Sequence, residues 1–261
     1  MDTLEYTDMP PSVRNPLQSE KMSNRYGFLD TYDMVQTFLG SGFSLVSAQA
    51  SKPRKKDPRS AKHLLRFRPV CQTPVHGVHA DVIVKNSHDG TSTLKFMVGI
   101  FRLVCLNGII ICDSMFAKPI THRHTLSNIV LAETSLRTMM ETSLKVTEFI
   151  PKLADIQMST SMLENYTLHA SRLLAQPVDA EHLLFVRREE DRHLNLWTVY
   201  NRVQENLLKG GMRTQHIGSR IGRTRRIRSI DKNVTVNNKL WELTVNMAEN
   251  HNSVPQWNHT T

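Results

Sequence analysis

The stretch ADVIVKNSHDGTSTLKFMVGIFRLVCLNGIIIC, residues 80–112, decides the fold, because it contains three strand-like runs separated by turn residues. Val, Ile, Leu and Phe dominate these runs, and such side chains suit a pleated, half-buried surface. The runs are ADVIVKN (80–86), STLKFMVGIFRLVC (92–105) and GIIIC (108–112). Asp89-Gly90 and Asn107-Gly108 are dipeptides typical of type I′ hairpin turns. We therefore predict an antiparallel meander, in which Gly99 permits a bulge or the close approach of another backbone.

Two further strands precede this stretch, at residues 43–48 and in HLLRFRP (63–69). Before them, residues 30–39 place four apolar side chains on one helical face, with Asp30 or Thr31 as the N-cap and Gly40 as the stop. After Pro119 the apolar spacing becomes helical. The predicted helices span residues 126–149, 160–175, 179–190, 191–209 and 237–249, and Pro151, Pro177 and Gly210-Gly211 end three of them.

The fold class that follows is α+β, an antiparallel β-meander with helices packed on one face, followed by a helical C-terminal half. Residues 1–24 lack periodicity and are predicted to form a flexible N-terminal arm. A single domain is predicted from 25 to 250. Its β-rich part covers 43–116, its helical part covers 124–250 with a basic segment at 212–233, and 251–261 form a flexible tail.

The net charge of the chain narrows the kinds of partner that it is expected to bind. The 261 residues include 33 Lys plus Arg against 24 Asp plus Glu, a formal charge of +9, which favours polyanionic partners. No apolar run approaches the roughly 20 residues needed to cross a bilayer, and the N-terminus lacks a signal-peptide core. The three cysteines form no CxxC pair. We expect a cytoplasmic protein without a membrane partner.

The strongest functional signal is RTQHIGSRIGRTRRIR, residues 213–228, with six arginines, two glycines and no acid. Guanidinium groups match phosphates in a bidentate manner, and glycines let the backbone approach a strand. A solvated basic loop is the alternative. If five or six arginines contact phosphates, binding weakens with salt at a log–log slope of about −4 to −5. The predicted contacts are Lys209, Arg213, Arg220, Arg223, Arg225, Arg226, Arg228 and Lys232.

A second basic cluster lies between Lys52 and Arg68, where eight Lys or Arg accompany one acid. It could form another wall of the same groove, or be no more than a mobile loop. Its predicted contacts are Arg54, Lys55, Lys56, Arg59, Arg66 and Arg68. Aromatic residues are 7% of the chain and absent from 202–240, so base stacking is not the expected main tool. Trp197 and Tyr200 are assigned to the core.

Enzymatic signatures are weak. His76, His79 and Asp81 lie close together in PVHGVHADVIV, and such ligands suit divalent metals, but their spacing fits no familiar pattern. No phosphate loop, HExxH, GxSxG or dinucleotide fingerprint occurs. We predict no enzymatic activity and no cofactor, and keep a metal-dependent nuclease as an alternative.

Two long stretches carry a family resemblance: NSHDGTSTLKFMVGIFRLVCLNGIIICDSMF (86–116), and LWTVYNRVQENLLKGGMRT (196–214) with RTRRIRSIDKNVTVNNKLWELT (223–244). Both resemble the phage/plasmid-like domain-of-unknown-function family, and the likeness extends over about residues 30–250, including PRKKDPRSAKHLLRFRP (53–69). The resemblance implies a gene of conjugative plasmids, prophages or phages, found beside single-strand-binding, antirestriction and recombination genes. It supplies no activity of its own.

Together these observations predict a non-enzymatic binder of single-stranded or recombining DNA, which supports annealing, replication or recombination. Homo-oligomerisation is an added expectation, because annealing proteins commonly act as rings or filaments. The rival hypothesis is an interaction protein that antagonises a host defence or replication factor, with the same basic surface facing an acidic partner.

Overall fold

A computed structural model of the chain describes residues 3–23, 26–53, 55–71, 73–74, 77–102, 148–174, 178–214 and 222–251, and the backbone of 108–111. The chain divides into two compact units, Met1–Lys145 and Val146–Thr261. The first contains the sheet and the second contains helices, so the predicted α+β class is confirmed. The sequence predicted one domain, whereas the sheet and the helical half each form a compact unit of their own.

The first unit is built on a five-stranded antiparallel sheet in the order β1-β2-β3-β4-β5. The strands are β1 (Phe43–Ala50), β2 (His63–Pro69), β3 (Val78–Asn86), β4 (Lys95–Arg102) and β5 (Gly108–Ile111). Each strand pairs with the next along the chain, as expected for a meander. The register shifts between Leu45 and Ser47, where β1 contains a bulge or irregularity. The predicted strands are therefore confirmed.

One face of the sheet packs against helix α2 (Thr31–Gly40). Asp30 caps this helix, because its carboxylate accepts hydrogen bonds from the backbone N–H groups of Tyr32 and Asp33. Phe38 is fully buried, and its ring lies 4.2 Å from Phe67 and 5.6 Å from Phe43, centroid to centroid. The predicted helix and its cap are confirmed, although Gly40 is the last helical residue and not the stop.

The opposite face of the sheet is also buried, as shown by Ile83 and Met97. Gly99 lies on this face, opposite Asp81 in the register. A Cβ atom at Gly99 would lie 2.4 Å from the Phe101 ring and 2.8 Å from Ile83, so glycine makes room for these side chains. The predicted close approach therefore involves side chains and not another backbone.

The predicted flexible arm at 1–24 is wrong for the residues that the structure describes. Residues 3–23 pack against the sheet unit, where Met9 and Val13 are buried in its core. The backbone N–H of Leu4 donates to the carbonyl of Leu45 at 2.7 Å. The segment includes helix α1 (Pro11–Arg14). Its few apolar residues follow no helical or strand period, so no pattern in the sequence predicted this packing.

The two-residue hairpin turn predicted at Asp89-Gly90 is not what the structure shows. Asp89-Gly90 lies in a longer loop, residues 87–94, between β3 and β4. Gly90 does have a positive φ of 73°. Asp89 accepts hydrogen bonds from the backbone N–H and the hydroxyl of Thr91, and it forms an ion pair with Lys56. These side-chain contacts stabilise the loop. Asn107 lies outside the described residues.

The second unit contains five described helical segments. They are residues 148–155 (α3), α4 (Thr160–Ser171), α5 (Ala180–Leu183), α6 (Leu196–Lys209) and α7 (Ile230–Asn250). Pro151 was predicted to follow the end of the 126–149 helix, but it lies inside α3. The start of that predicted helix lies outside the described residues. The predicted 179–190 helix is only α5 followed by the 3-10 turn Glu189–Asp191.

Helix α6 is the centre of the second unit, because every residue from Leu196 to Leu208 is buried. Trp197 and Tyr200 stack at 5.9 Å, and Tyr200 meets Trp241 of α7 edge-on at 5.8 Å, which agrees with their predicted core role. Helix α7 begins before its predicted start at 237, at the Ser229 N-cap. In the described part of the chain, no helix is long and apolar enough to cross a membrane.

Candidate nucleic-acid interface

The basic segment folds back on itself as a hairpin after α6. We use basic hairpin for the two arms 211–214 and 222–224. The backbone N–H of Thr214 donates to Gly222 at 3.1 Å, and that of Thr224 donates to Met212 at 2.9 Å. Val178 pairs with Thr214 on the other side of the first arm. The basic segment therefore contains an ordered backbone ladder.

Arg213 and Arg223 lie directly opposite each other in this ladder. The two flanking hydrogen bonds make them a non-hydrogen-bonded antiparallel pair, the type in which side chains are closest and Cα atoms are about 4.5 Å apart. Both side chains are exposed. Like charges directly opposite in a ladder are destabilising, so this pair concentrates positive charge at a cost to stability.

Gly210 lets the second arm pass close to the end of α6. Its φ of 68° and ψ of −158° belong to a region that is essentially restricted to glycine. A Cβ atom there would lie 2.7 Å from the backbone carbonyl carbon of Arg225. The backbone N–H of Ile227 then donates to Leu208 at 2.9 Å. The chain from 222 to 227 is thus held against the C-terminal end of α6.

Apolar anchors orient the arginines outward. Met212, Ile227 and Ile230 are buried at intervals along the segment. The arginines between and beside them are exposed, and we call the following set the arginine cluster. It consists of Arg213, Arg223, Arg225, Arg226 and Arg228. Within the described part of the chain, no carboxylate forms an ion pair with any member of the cluster. Arg220, also predicted here, lies outside the described residues.

Lys209 differs from the arginine cluster, because it is already paired. Its Nζ lies 2.5 Å from Glu205, and Arg188 donates two hydrogen bonds of 3.1 Å to the same carboxylate. Burial alone would raise the pKa of Glu205, but the hydrogen bonds from Lys209 and Arg188 outweigh it and lower the pKa. This charged group supports the end of α6, and its two cations against one carboxylate leave a net charge of +1.

Helix α7 begins immediately after the arginine cluster. The Ser229 hydroxyl accepts from the backbone N–H of Lys232, and the exposed Lys232 side chain lies in the first turn. The N-terminal end of a helix carries partial positive charge, which adds to the field of the adjacent arginines. Lys232 therefore adds an exposed cation next to the arginine cluster, and its contact with nucleic acid stays a prediction.

The second basic cluster lies in the first unit, and most of its cations are paired internally. Lys56 contacts Asp89 at 2.9 Å, and Arg59 contacts Asp57 at 2.7 Å. Lys55 is exposed. Arg54 lies outside the described residues. The role predicted for these residues stays a prediction, and the ion pairs reduce the charge they offer to a phosphate.

Arg66 and Arg68 are the least suited of the predicted contacts, because both bind Asp81 across β2 and β3. Arg68 donates to the buried carboxylate at 2.8 and 3.0 Å, and Arg66 donates to it as well. Arg68 is buried, and the guanidinium carbon of Arg66 lies 3.3 Å from the centroid of Phe101. Phe67 points to the opposite face, as predicted. These two arginines serve the interior of the sheet.

The same pairing argues against the metal hypothesis. Both carboxylate oxygens of Asp81 accept hydrogen bonds from arginines, and two adjacent cations disfavour a third. His79 is buried, and burial and the charge of Arg68 lower its pKa. His76 lies outside the described residues. Among the described residues, no group of three or more His, Cys, Asp or Glu could hold a metal ion.

A buried polar cluster joins the N-terminal segment to the sheet. The Thr31 hydroxyl lies 3.1 Å from His63 Nε2 and 2.8 Å from His88 Nε2, and all three residues are fully buried. His88 Nε2 also lies 3.2 Å from the carbonyl of Ser12. Burial, together with the nearby His88, lowers the pKa of His63 to about 3. This cluster is a structural core of the first unit.

Two residues beside the basic hairpin were missed by sequence reasoning, Phe185 and Arg187. Phe185 is exposed, and Arg187 lies over its ring and reaches the carbonyl of Gly210. Neither residue falls within the arginine-rich stretch. Asn206 places both residues, because its amide N–H donates to the Phe185 carbonyl and its amide oxygen accepts from Arg187, and no local sequence pattern predicts these contacts.

The fold and site define an α+β protein whose helical unit displays an exposed arginine cluster. The chain belongs to the family described as Domain of unknown function (DUF932), which it matches over residues 19–241. It is similar to UPF0380 protein YfjQ of Escherichia coli (strain K12), 30% identical over 245 residues that cover 88% of this chain and 85% of that protein. It is also similar to UPF0380 protein YafZ of the same strain, 30% identical over 243 residues with the same coverage. No solved structure matches the chain.

Proposed function

We propose that this protein binds nucleic acid, DNA in the first instance, through the arginine cluster. The observation that carries the proposal is the pairing of Arg213 with Arg223, two exposed like charges held side by side in a backbone ladder. The repulsion between the two arginines destabilises the free protein, and a polyanion bound across the pair removes this repulsion. A phosphate can accept from both guanidinium groups at once.

A nucleic acid suits the arginine cluster better than a single anion does, because its successive phosphates can neutralise several arginines at once. The five exposed arginines lie within 213–228, so they present several cations along one short stretch of surface. Each phosphate contact releases condensed counterions from the nucleic acid, and this term gives most of the affinity that does not depend on base sequence. The cluster is therefore expected to bind many sequences with similar affinity.

The backbone geometry supports a preformed surface. The ladder between the two arms and the hydrogen bond from Ile227 to Leu208 fix the backbone that carries the arginines, so this backbone needs little ordering on binding. Preorganisation lowers the entropic cost of association. The protein would act as an accessory factor of annealing, replication or recombination in the cytoplasm, encoded by a mobile genetic element as the family resemblance implies.

The proposal is tested by equilibrium binding to single- and double-stranded oligonucleotides at low salt. We compare the wild type with the double variant Arg213→Ala/Arg223→Ala. The matched control is Arg192→Ala/Lys239→Ala, which removes the same charge from exposed side chains of the same unit. The cluster variant should lose affinity for all sequences by at least about tenfold, since the loss of even one charged contact costs about 1.5–3 kcal/mol. The control should change affinity by less than threefold or so.

Two results would contradict the proposal. The first is an absence of measurable wild-type binding at low salt, which would favour an interaction protein that uses the same surface against an acidic host factor. The second is equal loss of affinity in the cluster variant and the control, which would mean that only net charge matters.

A further inference from the structure

Phe185 has the most exposed aromatic ring in the described part of the chain, with 59% of its surface accessible. Exposed apolar surface of this size is unfavourable in water, by about 25 cal/mol per Å². An exposed aromatic ring beside a cationic surface is the usual composition of a site for unpaired nucleotides. The question is whether Phe185 is held in a fixed position relative to the arginine cluster.

Asn206 fixes the backbone of Phe185 on α6. Its side-chain amide donates to the carbonyls of Leu183 and Phe185, each at 2.9 Å. Asn206 is fully buried and lies one turn before Gly210, which directly precedes the basic hairpin. The backbone that carries the ring is therefore attached to the same helix end that carries the hairpin.

Arg187 connects the ring to the basic hairpin directly. Its guanidinium carbon lies 5.6 Å from the centroid of Phe185, within cation–π range. Its Nε donates to Asn206 at 2.6 Å, and its Nη2 donates to the Gly210 carbonyl at 3.5 Å. One guanidinium group thus contacts both the ring and the base of the hairpin.

We propose that Phe185 is a stacking platform for an unpaired base of a strand whose phosphates contact the arginine cluster. The preferred ligand is then a single-stranded nucleic acid, because bases in a duplex are already stacked and cannot reach the ring. Stacking accepts any base, since every base has a π face. This inference rests on the proposed function and names the ligand class of the same site.

The experiment uses the full chain with three labelled probes of about 15 nucleotides, within the range of typical single-strand site sizes. The probes are an oligothymidylate, an abasic strand of equal length and charge, and a duplex. Phe185→Ala should weaken binding to oligothymidylate by about 5- to 150-fold and leave binding to the abasic strand unchanged. Phe185→Trp should restore the affinity, because it keeps an aromatic face.

Leu168→Ala is the matched control, because Leu168 is an exposed apolar residue on α4 of the same unit. It should change no affinity. Equal losses on oligothymidylate and on the abasic strand would overturn the stacking role, and so would an unchanged affinity of Phe185→Ala. Either result leaves the phosphate contacts standing if the wild type binds the probes. If the wild type binds none of them, both proposals fail together.

Discussion

Arg213 and Arg223 face each other as a non-hydrogen-bonded pair in a short antiparallel ladder, and both side chains are open to solvent. No carboxylate in the described part of the chain neutralises either one. A protein selected for stability alone gains nothing from such a pair. The cost in stability agrees with the proposed binding role, because functional sites commonly trade some stability for function.

The first prediction concerns Arg223→Glu. The substitution converts a repulsive cross-strand pair into an attractive one, so it should raise the Tm at low salt by a few degrees, consistent with roughly 0.2–1 kcal/mol. The gain should fade as salt is added. Oligonucleotide binding should fall at the same time. Arg225→Glu is the control, since Arg225 has no arginine opposite it among the described pairs; it should weaken binding without raising the Tm.

A second prediction compares two neighbouring glycines with positive φ, Gly210 and Gly211. Alanine at 211 meets no atom within 4 Å and should cost only the backbone strain of about 1–3 kcal/mol. Alanine at 210 would also collide with the backbone of Arg225. We expect a larger loss of stability in urea titrations and a loss of oligonucleotide binding only for Gly210→Ala. Equal effects of the two variants would contradict the described close approach.

The third prediction tests the interior role of Asp81. Asp81→Asn leaves the buried Arg68 and the adjacent Arg66 without their counter-charge, so the free energy of unfolding should fall by roughly 3–5 kcal/mol. Arg59→Ala removes a half-buried cation from the same unit and should cost less than about 1 kcal/mol. Urea unfolding followed by circular dichroism measures both. A small effect of Asp81→Asn would show that the buried ion pairs are absent in solution.

A fourth prediction concerns pH. The folded pKa of His63, about 3, lies below the usual value of 6.5, so the unfolded chain binds the extra proton in the interval between them. The stability due to neutral His63 is complete above pH 6.5 and is lost as pH falls towards 3, at about 1.4 kcal/mol per pH unit. His63→Asn should make the pH dependence of unfolding shallower by about that slope. An unchanged slope would place His63 in contact with water.

Much of the fold was readable from the sequence, for local reasons. Runs rich in apolar residues indicated β2, β3 and β4, and Asp30 indicated the start of α2, because strand propensity and helix capping act over a few residues. The packing of Met9 and Val13 was not readable, since two isolated apolar residues in a polar stretch form no pattern. Tertiary contacts alone decide that segment.

The candidate site divides in the same way. The density of arginines in 213–228 was visible at once. The pairing of Arg66 and Arg68 with Asp81 depended on strand register, so their composition suggested a surface role that their burial argues against. The role of Phe185 could not be predicted from the sequence, because its position near the basic hairpin depends on a tertiary hydrogen bond from the buried Asn206.

The most direct test of the phosphate contacts is the salt dependence of binding to a single strand, measured for the wild type and for Arg223→Ala/Arg225→Ala/Arg226→Ala. Removing three phosphate contacts should make the log–log slope shallower by about 2, with a similar loss of affinity for every base sequence. A triple variant that binds with the wild-type slope would show that these guanidinium groups do not contact the strand.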